Sequence, residues 1–315
     1  MSEHAEASVR GKGKKKEKLD TNGWPGPAKL ASGLYHDGGV GLNRSGYQLA
    51  RIATLYASWI RRKRPIDADI KDYVEAYERD GVLVMENFLP DDVFAQVQEE
   101  CRRAHAEGLY GSEDLDDGLV EEGVSVNKYK RDKMQVTWQA LGENDLLRRL
   151  AAAMVRRESI GRIKVEARIF TESKNTTMPA RLSGSNLIHA DVHYPTAKAW
   201  LYLNDIDETN GALIYGKGTQ KMTPARLWYE YESSIRVAKS RADGSFRTTI
   251  SSGAARIPTE KQFRQMKFEP TDMSGKANTL VWANVQGLHA RGAFEDDAVR
   301  EQIQIRFFDR PPDRT

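Results

Sequence analysis

Apolar residues recur at helical spacing through the first half of this chain and alternate with polar ones through much of the second. Leu49, Ile52, Leu55, Trp59 and Ile60 predict a helix, ended by Arg61, Arg62, Lys63, Arg64 and Pro65. Ile70, Tyr73, Val74 and Tyr77 predict a second helix, stopped by Gly81, and Val82 to Met85 a short strand. Pro90-Asp91 opens a third helix with Phe94, Val97, Cys101 and Ala104 on one face, so Cys101 is a core position. Residues 114–123 read as an acidic loop and 146–155 as a further helix. From about residue 161 strands are expected at 163–170, 187–193, 197–204, 212–215, 279–283 and 302–308. Helices first and strands afterwards predict a mainly β domain with a helical N-terminal layer.

Composition narrows the partners. A net charge of +3 over 315 residues favours neither nucleic acid nor a membrane surface as the main partner. The basic character is local, in the Lys-rich residues 1–23, read as a disordered tail, and in the cluster that ends the first helix. A single cysteine excludes an internal disulfide framework and fits a reducing, cytoplasmic setting. Neither a signal peptide nor a membrane span is expected.

The candidate chemistry lies in His189-Ala190-Asp191, His289 and Arg300. Two residues apart on a strand, His189 and Asp191 share a face. Two histidines and a carboxylate can fill one face of an octahedral iron(II) ion and leave three positions for a chelating 2-oxoacid and dioxygen. The chain has six histidines: 4, 36, 105, 189, 193 and 289. His4 is in the tail, His36 in a glycine-rich loop and His105 at a helix end, so the choice of distal ligand is narrow. His193 shares the parity of His189 and Asp191 and competes as a ligand through Asp191-Val192-His193; a substrate contact is its other role.

His189-Ala190-Asp191, Ala199 to Asp205, Thr209-Asn210-Gly211-Ala212-Leu213 and Gly216 to Lys221 resemble the phytanoyl-CoA dioxygenase family of iron(II)- and 2-oxoglutarate-dependent oxygenases. The later run Asn278 to Ala283, His289 and Arg300, with a histidine-to-arginine offset of 11, continues the likeness, and Tyr77 to Leu89 is similar to the family's opening. Gln220 and Lys217 depart from the family turn, where histidine and proline are usual. The resemblance implies a double-stranded β-helix, the jelly roll of the cupins. It implies iron(II), 2-oxoglutarate and O2 as cofactor and cosubstrates, and His189, Asp191 and His289 as metal ligands. Arg300 would hold the distal carboxylate of 2-oxoglutarate, with Arg291 as its competitor. Lys130 and Gln135 lie in an upstream region that in related enzymes reaches the cosubstrate.

The expected organisation is a tail (1–23), an arm and helix (24–65) and a jelly-roll domain (66–315) with an insertion at about 222–276. Long loops on a rigid scaffold often carry binding or lid functions. Asn186, His193, Lys198 and Trp282 are the candidate substrate contacts. The expected reaction is hydroxylation of a small polar metabolite or natural-product intermediate, with desaturation, cyclisation and epoxidation open to the same centre. Nothing reads as a dedicated coenzyme A site. A jelly-roll metal-binding module without oxygenase activity and a zinc hydrolase using the same triad are the alternatives; the first needs no Arg300. The sequence leaves the oligomeric state open.

Overall fold

The computed structural model describes residues 39–62, 66–115, 119–172, 187–193, 196–244 and 257–308. Residues 1–23, Asn186 and Ser251 to Gly253 lie outside that set.

The N-terminal half builds the helical layer. Helices α1 (Val40–Arg44) and α2 (Tyr47–Arg61) precede α3 (Lys71–Asp80), which ends on Gly81 at φ 79°. The left-handed conformation stops a helix there without strain only for a residue lacking Cβ. Strand β1 (Val82–Met85) leads into α4 (Asp91–Ala106), opened by Pro90 with Asp91 and Asp92 in its first turn. The expected acidic loop is instead a hairpin, β2 (Gly111–Asp114) with β3 (Leu119–Ser125). Short helices α5 (Val126–Tyr129) and α6 (Gln135–Thr137) and a wide turn over Trp138–Gly142 lead to α7 (Asp145–Met154), capped by the Asn144 side chain.

The remaining strands are β4 (Arg162–Glu172), β5 (Lys198–Tyr202), β6 (Leu213–Gly216), β7 (Pro270–Asp272), β8 (Leu280–Ala283), β9 (His289–Arg291) and β10 (Arg300–Phe308). They form a seven-stranded sheet in the order β1-β8-β5-β10-β4-β3-β2 and a three-stranded sheet in the order β7-β6-β9, all antiparallel. Alternation then sorts the side chains of the large sheet. Val165, Ala167, Ala199, Leu201, Leu280, Trp282, Ile303 and Ile305 pack with Val74, Val97, Cys101 and Leu150 of the helical layer. Trp200, Tyr202, Val281 and Ala283 pack the other way, with Leu213 and Tyr215 of the small sheet. The site lies on this second face, between the sheets.

Two helices of the 222–276 stretch are described, α8 (Pro224–Ala242) and α9 (Glu260–Gln265). Thr223 caps α8 ahead of Pro224, and Thr259 with Gln262 forms a capping box on α9. Tyr229 of α8 packs on Ala190 and Leu288, with Phe263 of α9 against the same cluster. The stretch therefore covers the back of the segment carrying the candidate ligands.

Candidate metal centre

The segment 187–193 was expected to be a strand; it makes only an isolated bridge at His189. Its backbone bonds go to the β8–β9 connection and β9. The amides of His189 and His289 each donate to the other's carbonyl, at 2.9 and 2.8 Å, and the Asp191 amide donates to Val285 O at 2.9 Å. The two parts of the triad, about a hundred residues apart in the chain, are thus laid side by side by main-chain bonds.

Both imidazoles are oriented by carbonyls. His189 Nδ1 lies 2.6 Å from Leu187 O and His289 Nδ1 lies 2.9 Å from Gly287 O. A carbonyl only accepts, so each Nδ1 carries a proton and each ring turns its Nε2 towards Asp191. His189 Nε2 and His289 Nε2 lie 3.3 and 3.7 Å from Asp191 Oδ1. One donor atom from each of the three residues lies within 4.8 Å of the other two, the one such group of three among the described residues. Burial would raise the Asp191 carboxyl, but the Lys198 ammonium, followed by the two histidines, outweighs it and holds the group well below the usual carboxylate range. Burial pushes His289 down to about 4, so its ring is neutral and its lone pair available at neutral pH. Two imidazoles and one ionised carboxylate on one side of a point are the donor set of an iron(II) facial triad.

Arg300 opens β10 and is buried. Its Nε and Nη2 donate to Gln302 Oε1, and Nη1 donates to Gly211 O. No carboxylate among the described residues pairs with it. Its guanidinium and that of Arg291 sit 5.7 and 5.8 Å from the Phe170 ring centroid. Burial, then the Arg300 charge, brings Arg291 down to about 10. The two guanidinium groups thus share one neighbour, the ring of Phe170.

Among the remaining candidates, Lys198 meets the triad, with Nζ 3.7 Å from Asp191 Oδ2. His193 is buried two residues beyond Asp191. Trp282 corrects the expectation: it belongs to the helical cluster and stacks on Phe307 at 5.0 Å, because its parity is opposite to that of Val281 and Ala283. Lys130 and Gln135 are corrected as well. Lys130 Nζ lies 4.4 Å from the centroid of Trp138, a member of the helical cluster, and Gln135 is exposed at the start of α6. Their helical segment packs on the face of the sheet turned away from the triad.

Sequence reasoning missed the charged wall beside Lys198. Glu166 binds Lys164 at 2.5 Å, Arg168 at 3.0 Å and Arg306, and Arg168 also reaches Glu121 at 2.7 Å. The signal was present: Lys164, Glu166 and Arg168 alternate with Val165 and Ala167, and Gln302, Gln304 and Arg306 with Ile303 and Ile305. A cleft of about 380 Å³ opens at the β2–β3–β4 end of this wall, lined by Glu113, Glu121, Ser125, Glu166 and Arg168 among others. Tyr215 was also missed; its ring stacks on His289 at 6.5 Å and its hydroxyl donates to Asn284 O at 2.8 Å.

The sandwich with its His-x-Asp and distal histidine between the sheets defines a jelly-roll, metal-dependent class of oxygenase. The phytanoyl-CoA dioxygenase (PhyH) family profile matches residues 77–266, more than half of the chain. The protein belongs to that family and is an iron- and 2-oxoglutarate-dependent oxygenase. The solved structure of the epimerase SnoN with Fe3+, alpha-ketoglutarate and nogalamycin RO is similar in fold: TM-score 0.51, 15% identity, covering 77% of this chain and 84% of that one. EctD from S. alaskensis with bound Fe gives a TM-score of 0.47 at 13% identity, covering 80% and 84%. No curated protein matches the chain. No helix among the described residues is long and apolar enough to cross a membrane.

Proposed function

We propose that this oxygenase hydroxylates a small polar metabolite or natural-product intermediate, one that carries charge. The observation that carries the reading is the wall facing the triad: Lys198, Arg168, Arg306 and Glu166 occupy the place where an apolar acyl chain would need an apolar slot. Burying an uncharged alkyl group against these side chains would strip water from them without replacing it. A substrate with its own polar groups restores those interactions.

His189, Asp191 and His289 would hold the iron. Arg300 would take the distal carboxylate of 2-oxoglutarate, since a planar guanidinium can pair both carboxylate oxygens at once. Bound there together, iron, 2-oxoglutarate and O2 supply a two-electron oxidation of a substrate C–H bond, with succinate and carbon dioxide as by-products. The backbone bonds of His189, Asp191 and His289 fix the donors in place, so little ordering is left to metal binding. Tyr229, Ala190 and Leu288 pack as an apolar cluster behind the centre.

The test is substrate-dependent succinate release from the full chain with Fe(II), 2-oxoglutarate and O2. Candidates should include amino acids, other small charged metabolites and apolar acyl thioesters. Stimulation by charged metabolites is the expected result, and product mass separates hydroxylation from desaturation and ring closure. Stimulation by acyl thioesters alone would overturn the substrate class. Turnover that needs zinc instead of iron would overturn the reaction.

A further inference from the structure

The 284–288 connection carries more of the metal centre than its two flanking strands suggest. Val285 O accepts the Asp191 amide, Gly287 O orients His289 Nδ1, and the Gly216 amide donates to Leu288 O. Two of the three candidate ligands therefore take their placement from this one loop. Between the two orienting carbonyls lies Gln286 O. It accepts a 2.6 Å bond from Arg226 Nη2, which comes from helix α8 in the insertion.

Arg226 is almost wholly buried, at 1% exposure, and its fork spans two segments. Nη1 donates to Thr219 O at 2.5 Å. Thr219 Oγ1 in turn accepts the Leu288 amide at 2.8 Å and donates to Gly216 O at 2.6 Å. Arg226 Nε and Nη2 also hold Glu230 Oε1, at 3.0 and 2.8 Å. Helix α2 backs this arrangement: Gln48 Nε2 donates to Glu230 Oε2 at 3.4 Å, and Gln286 Nε2 donates to Tyr56 Oη at 2.6 Å. A buried ion pair made only for stability is a poor use of two charges, because desolvation cancels much of the attraction. Here the guanidinium also satisfies two carbonyls in the ligand-bearing region, which an apolar replacement could not do.

We infer that Arg226 is a positioning residue for the metal ligands: by clamping Thr219 O and Gln286 O it fixes the 284–288 loop and sets the affinity of the His189–Asp191–His289 centre for its ion. This rests on the metal-centre reading given above. It gives the insertion and the N-terminal helix a common task, bracing the loop from behind.

The experiment uses the full-length chain, stripped of metal, with Co(II) as the probe, whose visible absorption reports ligation. Three variants are titrated: Arg226→Lys, Glu230→Gln, and Arg226→Met combined with Glu230→Gln. Lysine keeps the charge for Glu230 but cannot fork to both carbonyls. Arg226→Lys and the double variant should bind Co(II) about 10–100-fold more weakly, the usual cost of losing an outer-shell support. Glu230→Gln keeps the fork and should stay within about threefold of the unmodified protein on the same outer-shell scale. A role confined to stability predicts the reverse, a lower Tm of the metal-free protein with unchanged Co(II) affinity, and that result would overturn the inference. So would unchanged affinity in Arg226→Lys, should the double variant fail to fold. Absence of Co(II) binding by the unmodified protein would overturn the metal-centre reading and this inference together. Normal Co(II) binding without 2-oxoglutarate turnover would overturn the proposed activity alone.

Discussion

Lys198 and Asp191 meet on the side of the carboxylate that the histidines leave alone: Nζ approaches Oδ2 at 3.7 Å, while both imidazoles face Oδ1. The two oxygens of one carboxylate thus have separate tasks. Replacing Lys198 by Met should free Oδ2 and loosen the carboxylate. Iron affinity should fall about tenfold, as for other outer-shell losses, with the 2-oxoglutarate KM changed less than twofold. Anaerobic iron titration and a 2-oxoglutarate saturation curve check both. A raised 2-oxoglutarate KM with normal iron binding would place Lys198 on the cosubstrate instead.

The ligand assignment has its own test. Asp191→Ala and His289→Ala should abolish succinate formation and lose stoichiometric iron, since each removes one of three donors. His193→Ala should retain iron, because His193 lies outside the group whose donor atoms converge. Metal content after anaerobic loading and desalting reads the outcome. Iron loss in His193→Ala but not in His289→Ala would exchange the two roles.

Arg300 and Arg291 flank the same ring, and Arg300 is the one proposed to hold the 2-oxoglutarate carboxylate. Arg300→Ala should raise the 2-oxoglutarate KM by roughly 10–150-fold, the equivalent of a charge-assisted pair worth about 1.5–3 kcal/mol. Iron affinity should be unchanged. The same defect in Arg291→Ala, with a mild one in Arg300→Ala, would reverse the assignment.

Glu166 links acid sensitivity to the charged wall. Burial opposes its ionisation, but Lys164, Arg168 and Arg306 outweigh it and bring its carboxyl down from the usual carboxylate range to about 2. A carboxyl depressed on folding contributes stability above its unfolded pKa and loses it as pH falls through the folded value. The contribution should therefore be full above about pH 5 and gone near pH 2, and is on the order of 1–3 kcal/mol. Glu166→Gln should lower the urea midpoint at pH 7, with the gap to the unmodified protein narrowing between about pH 4.5 and 2. A gap that stays constant with pH would show that the three cations do not act through the charge of Glu166.

Much of this was legible in the chain. Periodicity placed α2, α3, α4 and α7 and most of the long strands, because their apolar faces bury against one partner each. The hairpin of β2 and β3 was missed because Glu121 points into the protein and is matched by Arg168 on the neighbouring strand, a match that no single segment displays. The short motif spacing, with the family resemblance, named His189, Asp191 and His289, and the structure brings all three together. Nearness in sequence misled for Trp282, where one step along a strand exchanges one face of the sheet for the other. Arg226 carried no local signal, as its partner carbonyl at Gln286 lies 60 residues away.

The place of β10 has a consequence for how the protein comes into being. It lies at the middle of the large sheet, between β5 and β4, and is the last in chain order of the strands among the described residues. Until it is in place, β1, β8 and β5 on one flank and β4, β3 and β2 on the other have, among the described residues, no main-chain bond joining them. Ile303 and Ile305 are likewise missing from the helical cluster until then. Such late, long-range closure makes for slow folding, with two half-sheets exposing unpaired edges during synthesis. The strand that completes the assembly also begins with Arg300, so this side chain reaches its place beside Phe170 only when the sheet becomes one.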